Sequence, residues 1–214
     1  KKHGGLLTVH AESDGITKAL RDALGPQDLQ PIGQAKTRPN VAEAAAVNRV
    51  LAAARACGDA PAYIVHTSAH ESLDQLRLAR RQGQHHIYSE TCPQYLLLTE
   101  EKFRHGGPME GIKYMLAPPL RKAEDNQALW QALADGTVQT VATDHCPFTI
   151  AEKQENVSDF RNCPGGVSGV EERMPLLFSK GVLKGRLPLE RFVQVTSANV
   201  AKIFGLYPRK GTLL

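Results

Sequence analysis

The 214-residue chain has only four cysteines, Cys57, Cys92, Cys146 and Cys163, and none forms a Cys-x-x-Cys pair. That spacing excludes a thiolate zinc ribbon and a dense disulfide framework, and fits a reducing, cytoplasmic setting. No apolar stretch approaches the roughly 20 residues that span a bilayer. The opening Lys1-Lys2-His3-Gly4-Gly5 lacks the apolar region of a signal peptide. Aromatics make up 6% of the residues, and the net charge of +4 is scattered. Basic pairs such as Arg80-Arg81 have no interleaved aromatics, so no nucleic-acid surface is expected. There is no internal repeat and no low-complexity tract.

What the chain does contain is an alternation of short apolar runs and helical patterns. Leu6 to His10, Ala62 to His66, His86 to Glu90 and Val138 to Asp144 have the length of buried strands, and Tyr114 to Ala117 reads as a further short one. Helices are expected over 14–24 with Asp14 as its cap, 41–57 capped by Asn40 and ended by Gly58, 71–82 ended by Gly83, and 122–134, which carries Trp130. A loop covers 25–39. Another, longer than twenty residues, runs from His145 to about Ser168, a length usually functional or mobile in a compact domain. Helices over Val170–Lys180, Leu189–Val195 and Ser197–Phe204 close the chain. Strand and helix alternating at this spacing imply βαβ units, a parallel sheet and an α/β fold.

Three of the apolar runs end in a side chain that can bind a metal: His10, His66 and Asp144. In a barrel of parallel strands the C-terminal strand ends carry the chemistry, so the three could converge. Imidazole nitrogen with carboxylate oxygen suits zinc or a similar divalent ion. For either histidine alone the plainer reading is a satisfied core residue, and for Asp144 a helix cap or a solvated carboxylate. Spacing by itself leaves both readings open.

Seven collinear segments then bear on the question: Val9-His10-Ala11-Glu12, Ile64-Val65-His66-Thr67-Ser68, Glu90-Thr91-Cys92-Pro93-Gln94-Tyr95-Leu96, Pro118-Pro119-Leu120-Arg121, Ala142-Thr143-Asp144-His145-Cys146-Pro147-Phe148, Gly169-Val170-Glu171-Glu172-Arg173-Met174 and Ser197 to Gly211. In order and spacing they resemble the hydantoinase/dihydropyrimidinase group of cyclic amidohydrolases along essentially the whole chain. The resemblance implies a TIM (β/α)8 barrel of which residues 1–214 are the C-terminal half, strands 5 to 8, with both ends cut from something longer. A complete barrel needs about 250 residues. It also implies two divalent ions, zinc being the one expected, with His10, His66 and Asp144 as ligands. A metal-bridging hydroxide would be the nucleophile and Asp144 the proton shuttle, opening hydantoins or dihydropyrimidines to N-carbamoyl amino acids. Ala117 and Gly165 match positions that contact the ring through main-chain atoms. A homotetramer is the implied assembly.

The chain departs from the family pattern in places. The family's His-x-His pair and carboxylated lysine, and the tyrosine near that lysine, have no counterpart here; His85-His86 is adjacent and in the wrong order. The segment alone should therefore be inactive, and a half barrel with two open edges should associate or aggregate. Ala117 stands where many relatives have serine, and Pro164-Gly165-Gly166 where they have Pro-Asn-Gly. Allantoinase- or dihydroorotase-like rings are the rival substrates, and a metal-free scaffold relative is the rival class. Glu90 is expected to satisfy local backbone donors or to orient a ligand, and His145 to make a loop hydrogen bond beside Asp144. Cys92 and Cys146 are expected as small buried hydrophobes, Arg121 and Arg173 as partners of carboxylates, and the alanines of 41–57 as packing against the sheet.

Overall fold

The computed structural model describes residues 4–213; the Lys1–His3 lead-in and Leu214 considered above lie outside them. Four parallel strands form one sheet in the order β1 (Leu7–Val9), β2 (Ala62–Ile64), β3 (Ile87–Thr91) and β4 (Thr140–Val141). Spatial order equals chain order, with Thr8 opposite Tyr63, Ile64 opposite Ser89 and Glu90 opposite Thr140. This is the mixed α/β, parallel-sheet architecture expected of part of a barrel. β4 is shorter than the 138–144 run, although Gln139 N–H donates to Ser89 O and Ala142 N–H to Thr91 O just beyond its ladder.

Helices connect the strands. After β1 come α1 (Asp14–Asp22), α2 (Gly33–Thr37) and α3 (Asn40–Ala56). Then α4 (His70–Arg81) follows β2, and α5 (Pro93–Leu97), α6 (Pro108–Gly111) and α7 (Ala123–Asp135) follow β3. Beyond β4 lie α8 (Ile150–Gln154), α9 (Arg173–Leu176), α10 (Leu189–Val193) and α11 (Asn199–Ile203). Val47 and Leu51 of α3, Leu73, Leu76 and Ala79 of α4, and Ile64 and Ile87 of the sheet share one buried core. The small side chains of α3 let it pack along α4 and onto β2. Gly83 ends α4 with φ 88°, a conformation that favours glycine.

Several expected details are corrected. Asn40 is not a cap: Pro39 holds that position, and the Asn40 amide instead donates to Glu71 and Asp125. Asp14 opens α1 behind Ser13 rather than capping it. The 114–117 segment forms no strand; Ile112–Tyr114 is a 3-10 turn, and the Met115 and Leu116 carbonyls are taken by Gly166 N–H and by the side chains of Lys153 and Gln34 instead of a ladder. The helices expected over 189–195 and 197–204 run together through a π turn at Gln194–Ala198. A second π turn, Leu177–Val182, continues α9. The loops also contain structure: α2 within 25–39, and α8 plus a 3-10 turn at Phe160–Asn162 within 145–168.

The long 145–168 segment is anchored at both ends and in its middle. His145 and Val167 form a bridge, and Cys146 N–H donates to Val167 O at 3.0 Å. Phe160, 2% exposed, sits so close to Gly33 that a Cβ there would lie 2.3 Å from its ring. The bareness of Gly33 is what admits that ring.

Candidate metal and substrate site

β1 and β2 are adjacent, and their C-terminal ends bring His10 and His66 together. His10 Nδ1 and His66 Nε2 are 2.8 Å apart, with the rings edge to face at 4.7 Å between centroids. His10 Nε2 lies 3.2 Å from Glu12 Oε2, and Glu12 is also paired with Arg38. A carboxylate that accepts from one imidazole nitrogen fixes the tautomer, leaving the other nitrogen's lone pair free to ligate. Burial opposes ionisation of Glu12, but the His10 hydrogen bond and the charges of Arg38 and Arg121 hold its carboxyl below the usual range. Glu12 Oε1 is buried with no partner among the described residues.

The two histidines differ in environment. The His10 side chain is 46% exposed, whereas His66 is 6% exposed. Burial and the neighbouring His10 both push the His66 imidazole toward its neutral form, the form that binds metal. His66 also has φ 38° and Asp144 φ 50°. Left-handed backbone at a non-glycine residue costs about 1–3 kcal/mol and persists where surroundings over-determine it.

The surroundings of His66 meet that condition. Glu43 of α3 accepts from Ser68 N–H at 3.1 Å, from Ala69 N–H at 3.1 Å and from the Ser68 hydroxyl. Arg121 donates to Ser68 Oγ and to Glu43, both charged side chains being almost wholly buried. Thr67 N–H donates to Glu90 O at 2.7 Å. Glu90 Oε2 accepts from the Tyr63 hydroxyl at 2.6 Å and Oε1 from His66 N–H at 3.4 Å, and burial raises its pKa. Its backbone-satisfying role is therefore present, shared with a phenol.

Asp144 is exposed just past β4, and its negative charge favours protonated His66. His145 accepts from Gly169 N–H at 3.2 Å, as a loop residue should. Cys92 is fully buried as expected, but Cys146 is exposed, because the bridge to Val167 holds it at the surface. Arg121 pairs with a carboxylate; Arg173 instead donates to Val141 O. His85 and His86 precede β3, at the end of the sheet opposite His66.

Ala117 and Gly165 belong to segments that meet. Gly166 N–H donates to Met115 O at 2.9 Å, and a Cβ on Gly165 would lie 3.8 Å from Leu116 Cα. A cavity of about 690 Å³ is lined by Leu97, Tyr114, Phe148, Lys153, Gly166 and Leu176 among others, and by none of the three expected ligands.

A second group of donor atoms was not foreseen. His70, Glu71 and Asp125 form a candidate metal site, with one ligand-capable atom from each lying within 4.8 Å of the others. Asp125 Oδ1 already accepts from His70 N–H, His70 Nδ1 and Asn40 Nδ2, and Oδ2 from Lys122 N–H. The cluster thus locks together the N-termini of α3, α4 and α7, where partial positive charge favours carboxylates over a cation. Ligands scattered over 55 positions give no spacing signal.

The donor set at His10 and His66 fits a tetrahedral divalent ion. Two ligands at about 2.1 Å from zinc would stand roughly 3.4 Å apart, so the pair need open by only about half an ångström.

No family model matches the chain. It is 46% identical over 212 residues to D-phenylhydantoinase of Escherichia coli O1:K1 / APEC, covering 98% of this chain and 45% of that protein. The dihydropyrimidinase structure from Brevibacillus agri NCHU1002 matches with TM-score 0.92 and 41% identity, over 100% of this chain and 46% of that one. The D-hydantoinase of Bacillus sp. AR9 gives 0.95 and 39% with the same coverage. L-hydantoinase from Arthrobacter aurescens gives 0.86 and 33%, over 99% and 46%. Spanning just under half the length of these relatives, the chain belongs to the hydantoinase/dihydropyrimidinase family of cyclic amidohydrolases.

Proposed function

We propose that residues 1–214 supply the C-terminal half of an amidohydrolase barrel, strands 5 to 8, to a protein that hydrolyses the cyclic amide bond of hydantoins or dihydropyrimidines to N-carbamoyl amino acids. The observation that carries this is the 2.8 Å approach of His10 Nδ1 and His66 Nε2 at adjacent strand ends, with Glu12 holding the His10 tautomer.

His10 and His66 would hold one divalent ion and Asp144 a second, zinc being the metal expected; the remaining ligands, a carboxylated lysine among them, would come from outside this segment. When bound, the metals supply Lewis acidity that activates water at neutral pH and polarises the scissile carbonyl. Glu12 and Glu90 orient the two histidine-bearing turns. Asp144, exposed and free of an internal partner in the hydrogen bonds described, takes the proton of the attacking water and delivers it to the leaving ring nitrogen. The main chain at Ala117 and Gly165 holds the ring. The four free cysteines support a reducing, cytoplasmic setting, and a homotetramer is the assembly proposed. Among the described residues no helix is long and apolar enough to cross a membrane.

The test uses the full-length protein. Elemental mass spectrometry should find two zinc ions per chain, with H10A and H66A each lowering that content. A panel of hydantoin, dihydrouracil, allantoin and dihydroorotate should show opening of the first two, abolished in D144N. Opening of allantoin or dihydroorotate alone, or a metal-free protein that opens none, would sink the reading.

A further inference from the structure

Lys153 is a charged residue that the proposed chemistry does not use, yet it is 3% exposed. It sits on α8, whose start is fixed by reciprocal bonds between Thr149 and Glu152. Its ammonium donates to three main-chain carbonyls: Lys113 O at 3.1 Å, Met115 O at 2.8 Å and Gly166 O at 2.5 Å. Three donors therefore meet three acceptors. No carboxylate is within salt-bridge distance of it among the described residues, so carbonyl dipoles alone compensate a charge taken out of water. Burial lowers its pKa, and the three carbonyl acceptors oppose that by stabilising the charged form.

The carbonyls belong to two segments far apart in sequence. Met115 leads into Leu116 and Ala117; Gly166 follows Gly165. Gly166 cannot carry a side chain, because a Cβ there would lie 2.3 Å from Cys146 O. The close approach of 146 to 166 and the cage around Lys153 thus fix where the Gly165 peptide stands relative to Leu116. Gln34 Nε2 holds Leu116 O from the other side at 2.6 Å.

We propose that Lys153 is a positioning residue for substrate: its ammonium clamps the Met115–Ala117 and Gly165–Gly166 main chains into one wall that receives the amide edge of the ring. The inference rests on the ring-binding reading of Ala117 and Gly165 given above. An ammonium suits this task because it donates in three directions to acceptors from separate segments, where a neutral side chain of similar length donates in fewer. A methionine would fill the space and leave the Gly166 and Lys113 carbonyls without this donor.

The experiment compares K153M, K153Q and K153R with wild type in the full-length enzyme, reading kcat, KM and bound metal with hydantoin and dihydrouracil. K153M should raise KM roughly tenfold or more while kcat changes less and metal content stays constant, the signature of lost binding shared by ground and transition states. K153R and K153Q, which keep donors, should fall between K153M and wild type. Wild-type KM in the folded variants would overturn the proposal, as would loss of folded protein in all three, which would make Lys153 a purely structural residue. If wild type itself opens no ring, the failure belongs to the proposed function and not to Lys153.

Discussion

The two histidine-bearing strand ends are neighbours with opposite construction. His66 follows an interior strand, is buried, and stands in a turn braced by Glu43, Arg121, Ser68 and Glu90. His10 follows β1, is about half exposed among the described residues, and is steadied by Glu12 and Arg38. One ligand is thus held by a buried polar network, the other by a carboxylate at the rim. The difference teaches that strained backbone at His66 is sustained from α3 and from Arg121 in the segment leading into α7, both separated from it by tens of residues, while His10 has no left-handed backbone to sustain.

The sharpest way to break this comparison is Arg121→Met, which leaves Glu43 buried and unpaired. A loss of about 3–5 kcal/mol is expected, read by urea unfolding; a change under about 1 kcal/mol would show that the brace is dispensable. The next effect is the contrast between H66A and H10A. Removing His66 should cost about 1–3 kcal/mol and removing His10 less than about 0.5 kcal/mol, by thermal unfolding of metal-free protein. Equal losses would erase the asymmetry.

Acid should probe the weaker end. The folded-state pKa of Glu12 lies below its ordinary value of 4.5, so its contribution is full above that value and is lost as pH falls through the depressed one. Glu12→Gln should therefore lower the unfolding midpoint near neutrality and flatten the pH dependence of stability below about pH 4.5, the variant and wild type converging as pH falls. The smallest effect is kinetic. Amide exchange should be slow at Ser68 and Ala69, whose N–H groups donate to the buried Glu43; fast exchange at Ser68 would contradict the bracing.

Much of this was legible beforehand, for particular reasons. The strand ends at His10 and His66 and the helices α3, α4 and α7 stand out because apolar runs and a Gly83-type stop are local signals. Asn40 misled because an amide before a helix reads as a cap, whereas its real partners, Glu71 and Asp125, lie 31 and 85 positions away. Glu43 was hidden inside an alanine stripe that announced only packing. Lys153 carried no signal, since its acceptors are backbone carbonyls that any sequence possesses. The π turn at Gln194–Ala198 read as a break because it shifts the helical period by one residue.

The contact between Gly33 and Phe160 has a consequence for how such chains can diverge. The segment carrying Lys153 is docked by a ring that fits only where residue 33 has no side chain. A methyl group at 33 would meet the Phe160 ring at 2.3 Å and Asp28 O at 2.5 Å, so shrinking the side chain at 160 would not be enough, and glycine at 33 and the large ring at 160 should be retained together although 127 positions separate them.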